Sequence, residues 1–417
     1  MTRDDLYQAA FEYKRTKLWK KLWDNDIFAL RLSDGRIGYI NVMGRLGEYC
    51  ALGVNIGEEG VQAMVDCMVE SPEGSSLFGE FEHLLSQRSL HLELCVKDDL
   101  DEGEVDEVRA FAKENNIRLS GKNSFPRFVR FEPAHVPWKI TEESDLNALY
   151  EAVRAAIMLS GQMNENSLED FGITGVVPED TPCQVPLFQA EEGKLVRKGE
   201  APFPAPSIRH YETVPVRGDI IPARHKKIPR KGTWEAEAVR FIQPFQKEED
   251  EAPYYPLMLL LCESKSGYLV AVRIHGEIGD NPVEFFEEYT RQWEKLNYRP
   301  NAILCRDERT MALLEDVCAK TGVGIKITQS DMPALDKAQE DMYMHFTSPQ
   351  QRQMEDVVDQ IVEMFTQVIE MPLDSLREMF QSSPGMAEEL WRLSRDESLP
   401  IPRNIADEVR SKLEKLR

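Results

Sequence analysis

No hydrophobic run in this chain is long enough to cross a bilayer. The longest, Leu257–Cys262, falls far short of the roughly 20 apolar residues a spanning helix needs. The chain opens Met-Thr-Arg-Asp-Asp, with no apolar signal core. Cysteine is sparse: the seven are odd in number, none form a CxxC pair, and most sit inside apolar runs. They read as small buried hydrophobes in a reducing compartment, so the cytoplasm is the expected location. Positive charge is also scarce, with 50 Lys and Arg against 73 Asp and Glu, a net −23. Such a surface repels nucleic-acid phosphates unless cations cluster locally. No two of the seven histidines stand at metal-ligand spacing, which argues against zinc. A Walker pattern, GxGxxG and GxSxG are all missing. No membrane association is expected.

What is present is a multidomain chain of α+β and α/β type. Its 417 residues suit two or three domains. The first is an α+β domain over 1–165. The spacing of Leu6, Ala9, Ala10 and Tyr13 predicts an opening helix. Strands are expected at Ile27–Leu32 and Ile37–Val42 around the turn Ser33-Asp34-Gly35-Arg36, then at Tyr49–Asn55, His91–Val96 and Phe128–Phe131. Helices are expected at Glu58–Val69, Glu104–Asn115 and Glu142–Leu159, the last capped by Thr141.

A proline-rich connector covers 166–232. Nine prolines fall between Pro178 and Pro229, so short apolar pieces such as Val185–Phe188 are read as extended at best, with room for a hairpin packed on one neighbour. The next domain, over 233–347, has the most regular pattern in the chain. Trp234–Ile242, Pro256–Cys262 and Tyr268–Ile274 are strands. A helix Pro282–Leu296, capped by Asp280 or Asn281, a strand Ala302–Cys305, a helix Thr310–Lys320 closed by Gly322, a strand Val323–Thr328 and a helix Pro333–Phe346 follow. Leu259, Leu261, Leu269, Ile303 and Ile325 are expected in its central sheet. A helical tail over 348–417 opens with the amphipathic stretch Gln350–Ile369.

Three strands followed by helix, strand, helix, strand, helix is the chain order of ribonuclease H-like folds. Glu263-Ser264-Lys265-Ser266-Gly267-Tyr268-Leu269-Val270 resembles the turn between the second and third strands of retroviral-type integrases. Asn297–Asp307 resembles their fourth strand, which ends in a catalytic aspartate. The resemblance implies a mixed sheet with flanking helices. It also implies a carboxylate set that holds two Mg²⁺ ions for phosphodiester cleavage. By position Asp307 matches the fourth-strand acid and would be a metal ligand. Glu235 or Glu237 stands where that family has an aspartate, and Asp336, Glu340 or Asp341 would supply the last-helix acid. Over most of its length the chain is also similar to uncharacterised bacterial proteins built from two domains of unknown function. Asp26-Ile27-Phe28, Val42–Glu48, Arg306-Asp307-Glu308-Arg309 and Pro333-Ala334-Leu335-Asp336 carry that similarity.

Other features have plainer readings. The glycines of Gly44-Arg45-Leu46-Gly47 and Gly53…Gly60 read as turns and close strand crossings, because Glu58 and Glu59 oppose a phosphate there. Cys183 reads as a loop cysteine. The basic run Arg224–Lys231 reads as paired or solvated cations. The expectation is a non-catalytic binding or regulatory protein with no cofactor, and with a protein rather than a nucleic acid as partner. The alternative is a Mg²⁺-dependent phosphodiester-cleaving enzyme centred on Asp307, with Glu235, Glu237 and Asp336.

Overall fold

The computed structural model describes residues 2–46, 49–69, 76–207, 210–216, 227–248, 250–275, 283–328, 330–346, 361–362, 364–369, 371–382, 390–395 and 403–415. The chain divides into two units, Met1–Asp341 and Met342–Arg417. The first unit holds two mixed sheets.

Helix α1 (Arg3–Thr16) starts at a capping box. The Asp5 amide donates to Thr2 Oγ1, and the Thr2 amide donates to Asp5. Strands β1 (Phe28–Arg31), β2 (Ile37–Met43) and β3 (Cys50–Ile56) form an antiparallel meander. Helices α2 (Gly57–Met68) and α3 (Leu77–Leu84) follow, then β4 (Ser89–Cys95), α4 (Glu102–Glu114), β5 (Phe125–Phe131), β6 (Trp138–Lys139), α5 (Glu143–Gln162) and the short α6 (Leu168–Phe171). Glu142, not Thr141, is the N-cap residue of α5, and it makes no side-chain cap bond. Glu143 and Asp145 in the first turn favour the helix dipole instead.

The proline-rich segment holds the hairpin for which its sequence left room. Cys183–Glu191 and Lys194–Phe203 pair as a long hairpin, β7 and β8, and β7 joins β1 in parallel. The first sheet therefore has eight strands, ordered β6-β5-β4-β3-β2-β1-β7-β8. Pro186 and Pro202 are tolerated within this terminal hairpin. Further on, Val214 and Val216 donate their amides to Ala312 O and Asp316, which fastens the chain along a later helix.

The first sheet has two unlike faces. Leu30, Ile40, Val42, Leu52, Val54, Leu90, Leu92 and Leu94 face α1 and α5 in a wholly apolar core with Phe11, Leu149, Val153 and Leu159. The other face carries an apolar cluster at the β1–β8 side, made by Ile27, Ala29, Tyr39, Val65, Leu187 and Phe203.

The second sheet runs β9 (Thr233–Arg240), β10 (Leu257–Glu263), β11 (Tyr268–Ile274), α7 (Val283–Leu296), β12 (Ala302–Cys305), α8 (Glu308–Thr321), β13 (Gly324–Ile327) and α9 (Pro333–Phe346). Its spatial order is β11-β10-β9-β12-β13. Strand β10 is antiparallel to both of its neighbours, β9 and β11, and β12 and β13 run parallel to β9. Leu259, Leu261 and Ile303 are buried, as the pattern predicts, and Ile325 is partly buried. Leu269 is 38% exposed because β11 is an edge strand. Trp234, Ala236, Ala238, Phe285, Tyr289, Trp293, Leu313 and Val317 fill the face under α7 and α8. Gly322 closes α8 in the left-handed conformation, as expected of a glycine there. The proposed caps Asp280 and Asn281 lie outside the described residues.

In the second unit, helices α10 (Leu373–Ser382) and α11 (Arg403–Glu414) pack with Ile361, Phe365 and Val368 around Leu376, Leu390 and Val409. Most of Gln350–Ile369 lies outside the described residues. No helix among the described residues is long and apolar enough to cross a membrane.

Candidate functional site

The sequence-derived acids gather on and beside β9, the middle strand of the second sheet. Alternation along the strand separates them: Trp234, Ala236 and Ala238 point into the core, while Glu235 and Glu237 point to the opposite face. Both glutamates are buried, at 2% and 3% exposure. Buried carboxylates need donors. Glu235 receives two from the start of α9, the amides of Ala334 at 3.1 Å and Leu335 at 3.0 Å. It thus satisfies a helix N-terminus from a neighbouring strand. Glu237 accepts from Ser76 Oγ at 2.7 Å and Gln339 Nε2 at 2.7 Å, with Arg306 Nη1 at 3.4 Å. Burial pushes its carboxyl up to about 7, against the lowering effect of Ser76 and Arg306.

Asp307 sits between β12 and α8 and caps that helix. Thr310 donates its amide to Oδ1 at 2.8 Å and its hydroxyl to Oδ2 at 2.7 Å. The Thr310 hydroxyl oxygen also accepts from the Ala238 amide of β9, so the cap locks helix to sheet. Burial raises the Asp307 carboxyl, opposed by the Thr310 bonds. Asp336 pairs with Arg306, whose other nitrogen faces Glu237. Glu340 and Asp341 are exposed on α9, and Asp341 pairs with Lys337.

The structure therefore places Glu235, Glu237, Asp307 and Asp336 on adjacent elements and gives each its own protein donors. Among the described residues no group of three or more His, Cys, Asp and Glu side chains could hold a metal ion.

Helix α3, which the sequence reading missed, covers this polar face. Ser76 caps α3 through the Gly79 amide and donates to Glu237. The Phe78 amide donates to Gln339 Oε1 at 3.1 Å. Glu82 pairs with Arg309 and accepts from the Arg240 amide. Arg309 also lies 5.2 Å from the Tyr211 ring centroid. The basic run is only partly described: Arg224, His225 and Lys226 lie outside the described residues. Arg230 donates to Gly322 O, and Lys231 sits 5.5 Å over the Tyr298 ring.

A second polar region lies on the first sheet. On β4, Leu90, Leu92 and Leu94 alternate with Ser89, His91, Glu93 and Cys95, which point away from the apolar core. His91 is in register with Gly53 on β3, and Gly53 with Asn41 on β2. A Cβ on Gly53 would meet Asn41 Oδ1 at 2.5 Å and His91 Nε2 at 3.1 Å. Glycine at that point lets the two polar side chains lean together over the sheet.

His91 Nε2 is 2.9 Å from Ser89 Oγ, and Nδ1 is 3.2 Å from Tyr49 OH. Tyr49 donates its only proton to Glu93. The ordering of donors then follows: His91 Nδ1–H donates to the Tyr49 oxygen, and Ser89 donates its hydroxyl to Nε2. Burial lowers the His91 imidazole to about 3, so it is neutral. Burial raises the Glu93 carboxyl, opposed by Tyr49 and Arg127.

These residues wall a cavity of about 430 Å³, within the size range of small-molecule sites. Asn41, Asn55, Ser89 and His91 form its polar wall on the sheet, and Asp24, Asn25, Gln87 and Arg88 add polar groups from the loops. Met43, Met64, Met68, Ala63, Val176 and Pro178 form its apolar wall. The sequence did carry a signal for it, the Ser-Leu-His-Leu-Glu-Leu-Cys alternation, but not for which residues of other strands would face it.

Residues 4–173 match the family of a domain of unknown function (DUF7309), and residues 223–343 match a second domain of unknown function (DUF6930). The chain is thus a two-module protein whose modules both have families without an assigned function. No curated protein and no solved structure matches it.

Proposed function

We propose that the protein is a non-catalytic binding or regulatory protein whose ligand site is the cavity on the first sheet. The observation that carries this reading is the polar wall of that cavity. It is built by side chains from three strands over a glycine, and the Asn41 amide has no hydrogen-bond partner among the described residues. Unpaired polar groups in a concave site favour a ligand that completes their bonds. We further read the second module as a ribonuclease H-like fold without live metal chemistry. The order β11-β10-β9-β12-β13 supports the fold. The donors already held by Glu235, Glu237, Asp307 and Asp336 support the lack of activity. A protein partner in the cytoplasm fits the net charge of −23 and the odd count of seven cysteines.

The test separates this reading from the Mg²⁺-dependent alternative. Thermal melts of wild type and Asp307→Asn are run with and without millimolar Mn²⁺. Metal bound to the native state would raise the wild-type melting temperature, and Asp307→Asn would remove the rise. The binding reading expects no metal response in either protein. A wild-type rise lost in the variant would move the assignment to the phosphodiester-cleaving enzyme.

A further inference from the structure

We infer that the cavity on the first sheet takes an uncharged, flat aromatic molecule carrying a primary-amide-like edge, a hydrogen-bond donor beside an acceptor. The inference rests on the binding reading above and adds the chemical class of the ligand. It follows from what each wall offers.

The Asn41 side chain presents one carbonyl and one NH₂ with no partner among the described residues. That is the complement of an amide edge, which meets both groups in one plane. His91 is not a competing donor, because Nδ1 is engaged by Tyr49 and Nε2 by Ser89. Ser89 donates to His91, so its oxygen is left as an acceptor for a second N–H of the ligand.

Charge is excluded by the same wall. His91 is neutral. Arg88 lines the cavity but is held by Glu59 at 2.8 Å and Glu132 at 3.7 Å. Asp24 lies at an exposed position. An anion would find no unpaired cation in the lining and a cation only the solvated Asp24, so either would leave water at a cost. A wholly apolar ligand would bury the Asn41 amide unpaired, which costs as well.

The facing wall specifies the body of the molecule. Met43, Met64 and Met68 are flexible and polarisable, and thioethers pack favourably against aromatic rings.

The experiment uses three probes of nearly one shape: benzamide (neutral), benzoate (anionic) and benzamidine (cationic). Each is titrated into the full chain carrying ¹³C-methyl methionine, and the methyl signals of Met43, Met64 and Met68 are followed. Benzamide should shift these signals along a saturable curve, with benzoate and benzamidine at least about tenfold weaker, a difference of roughly 1.4 kcal/mol. Ala63→Phe, which fills the cavity from α2, should abolish the shifts. Should that variant fail to fold, Asn41→Asp gives an independent readout: it should reverse the preference from benzamide to benzamidine. If benzoate or benzamidine binds wild type as tightly as benzamide, the ligand class is wrong while the cavity remains a binding site. If none of the three moves these methyls at about 10 mM, weaker than the millimolar range expected of a fragment, the binding reading itself fails. If Asn41→Asp leaves the order of the probes unchanged, Asn41 is not the recognising group and the inference falls.

Discussion

The polar faces of the two sheets solve the same problem in opposite ways. Each sheet has one apolar face packed under helices and one face that buries ionisable groups. On the first, the central group is a neutral imidazole in a chain of hydrogen bonds, and space is left beside it. On the second, carboxylates and guanidiniums meet in pairs, and α3 and α9 lie over them. The difference teaches where to look for a ligand. A face whose donors and acceptors are matched internally gains little from an outside molecule, whereas one with an unpaired amide beside a cavity gains a good deal. The two faces also respond to pH in opposite senses.

The largest expected effect tests the claim that the charged face is matched internally. Glu82→Ala leaves Arg309, 14% exposed, without its carboxylate, and removal of one partner from such a buried pair costs roughly 3–5 kcal/mol. Replacing both residues by methionine should recover most of the loss. Denaturant unfolding of the three proteins measures this. A loss below about 0.5 kcal/mol, the range of ordinary surface changes, would mean that α3 does not hold this face.

The next effect concerns acid. The folded His91 value of about 3 lies below the ordinary 6.5. Its contribution to stability is therefore complete above pH 6.5 and is lost as the pH falls towards 3. Relative to His91→Gln, wild type should lose roughly 3 kcal/mol between pH 6.5 and 4. Parallel stability curves for the two proteins across that window would show that the imidazole is solvated, and the contrast between the faces would collapse.

Glu237 gives the opposite slope. Its folded value of about 7 lies above the ordinary 4.5. The associated stability is complete below pH 4.5 and is lost as the pH rises through 7. The difference between wild type and Glu237→Gln should change by about 2–3 kcal/mol over that interval, with the glutamine variant gaining as the pH rises. A difference of the reverse sign would mean that Arg306 and Ser76 outweigh burial.

The smallest effect belongs to Asp307. Asparagine keeps the oxygen that caps the Thr310 amide but loses the one that accepts from the Thr310 hydroxyl, so Asp307→Asn should cost about 1 kcal/mol in the absence of metal. A loss of several kcal/mol would point to a role for the charge beyond capping α8, in keeping with its proximity to Arg309.

Much of this architecture was legible in the residues. The turn Ser264–Gly267 between two apolar runs fixed the β10–β11 hairpin, and the period of Pro333–Phe346 fixed α9. Glycine after Thr321 marked the end of α8. What was not legible shares a cause. Proline density between 178 and 229 left a packed hairpin there as an option only, and β7 and β8 pair because Val185, Leu187 and Phe203 have an apolar cluster waiting beside β1. Local propensity cannot report a partner strand more than a hundred residues away. Helix α3 was missed for a similar reason: Ser76, Phe78 and Glu82 make sense against Glu237, Gln339 and Arg309, and only the fold brings those together.

By itself the sequence determined the two-module plan, the strand and helix series of 257–346, and the placing of Glu235 and Glu237 on one face of a strand, because alternation and periodicity act over a few residues. The tertiary structure decided what those residues do. It gave the acids of the second sheet helix amides and arginines as partners, and it brought Asn41, Gly53 and His91 into one row across three strands. Burial, charge pairing and cavity shape are properties of neighbours in space. Strand register sets those neighbours, and it is fixed only when whole sheets assemble.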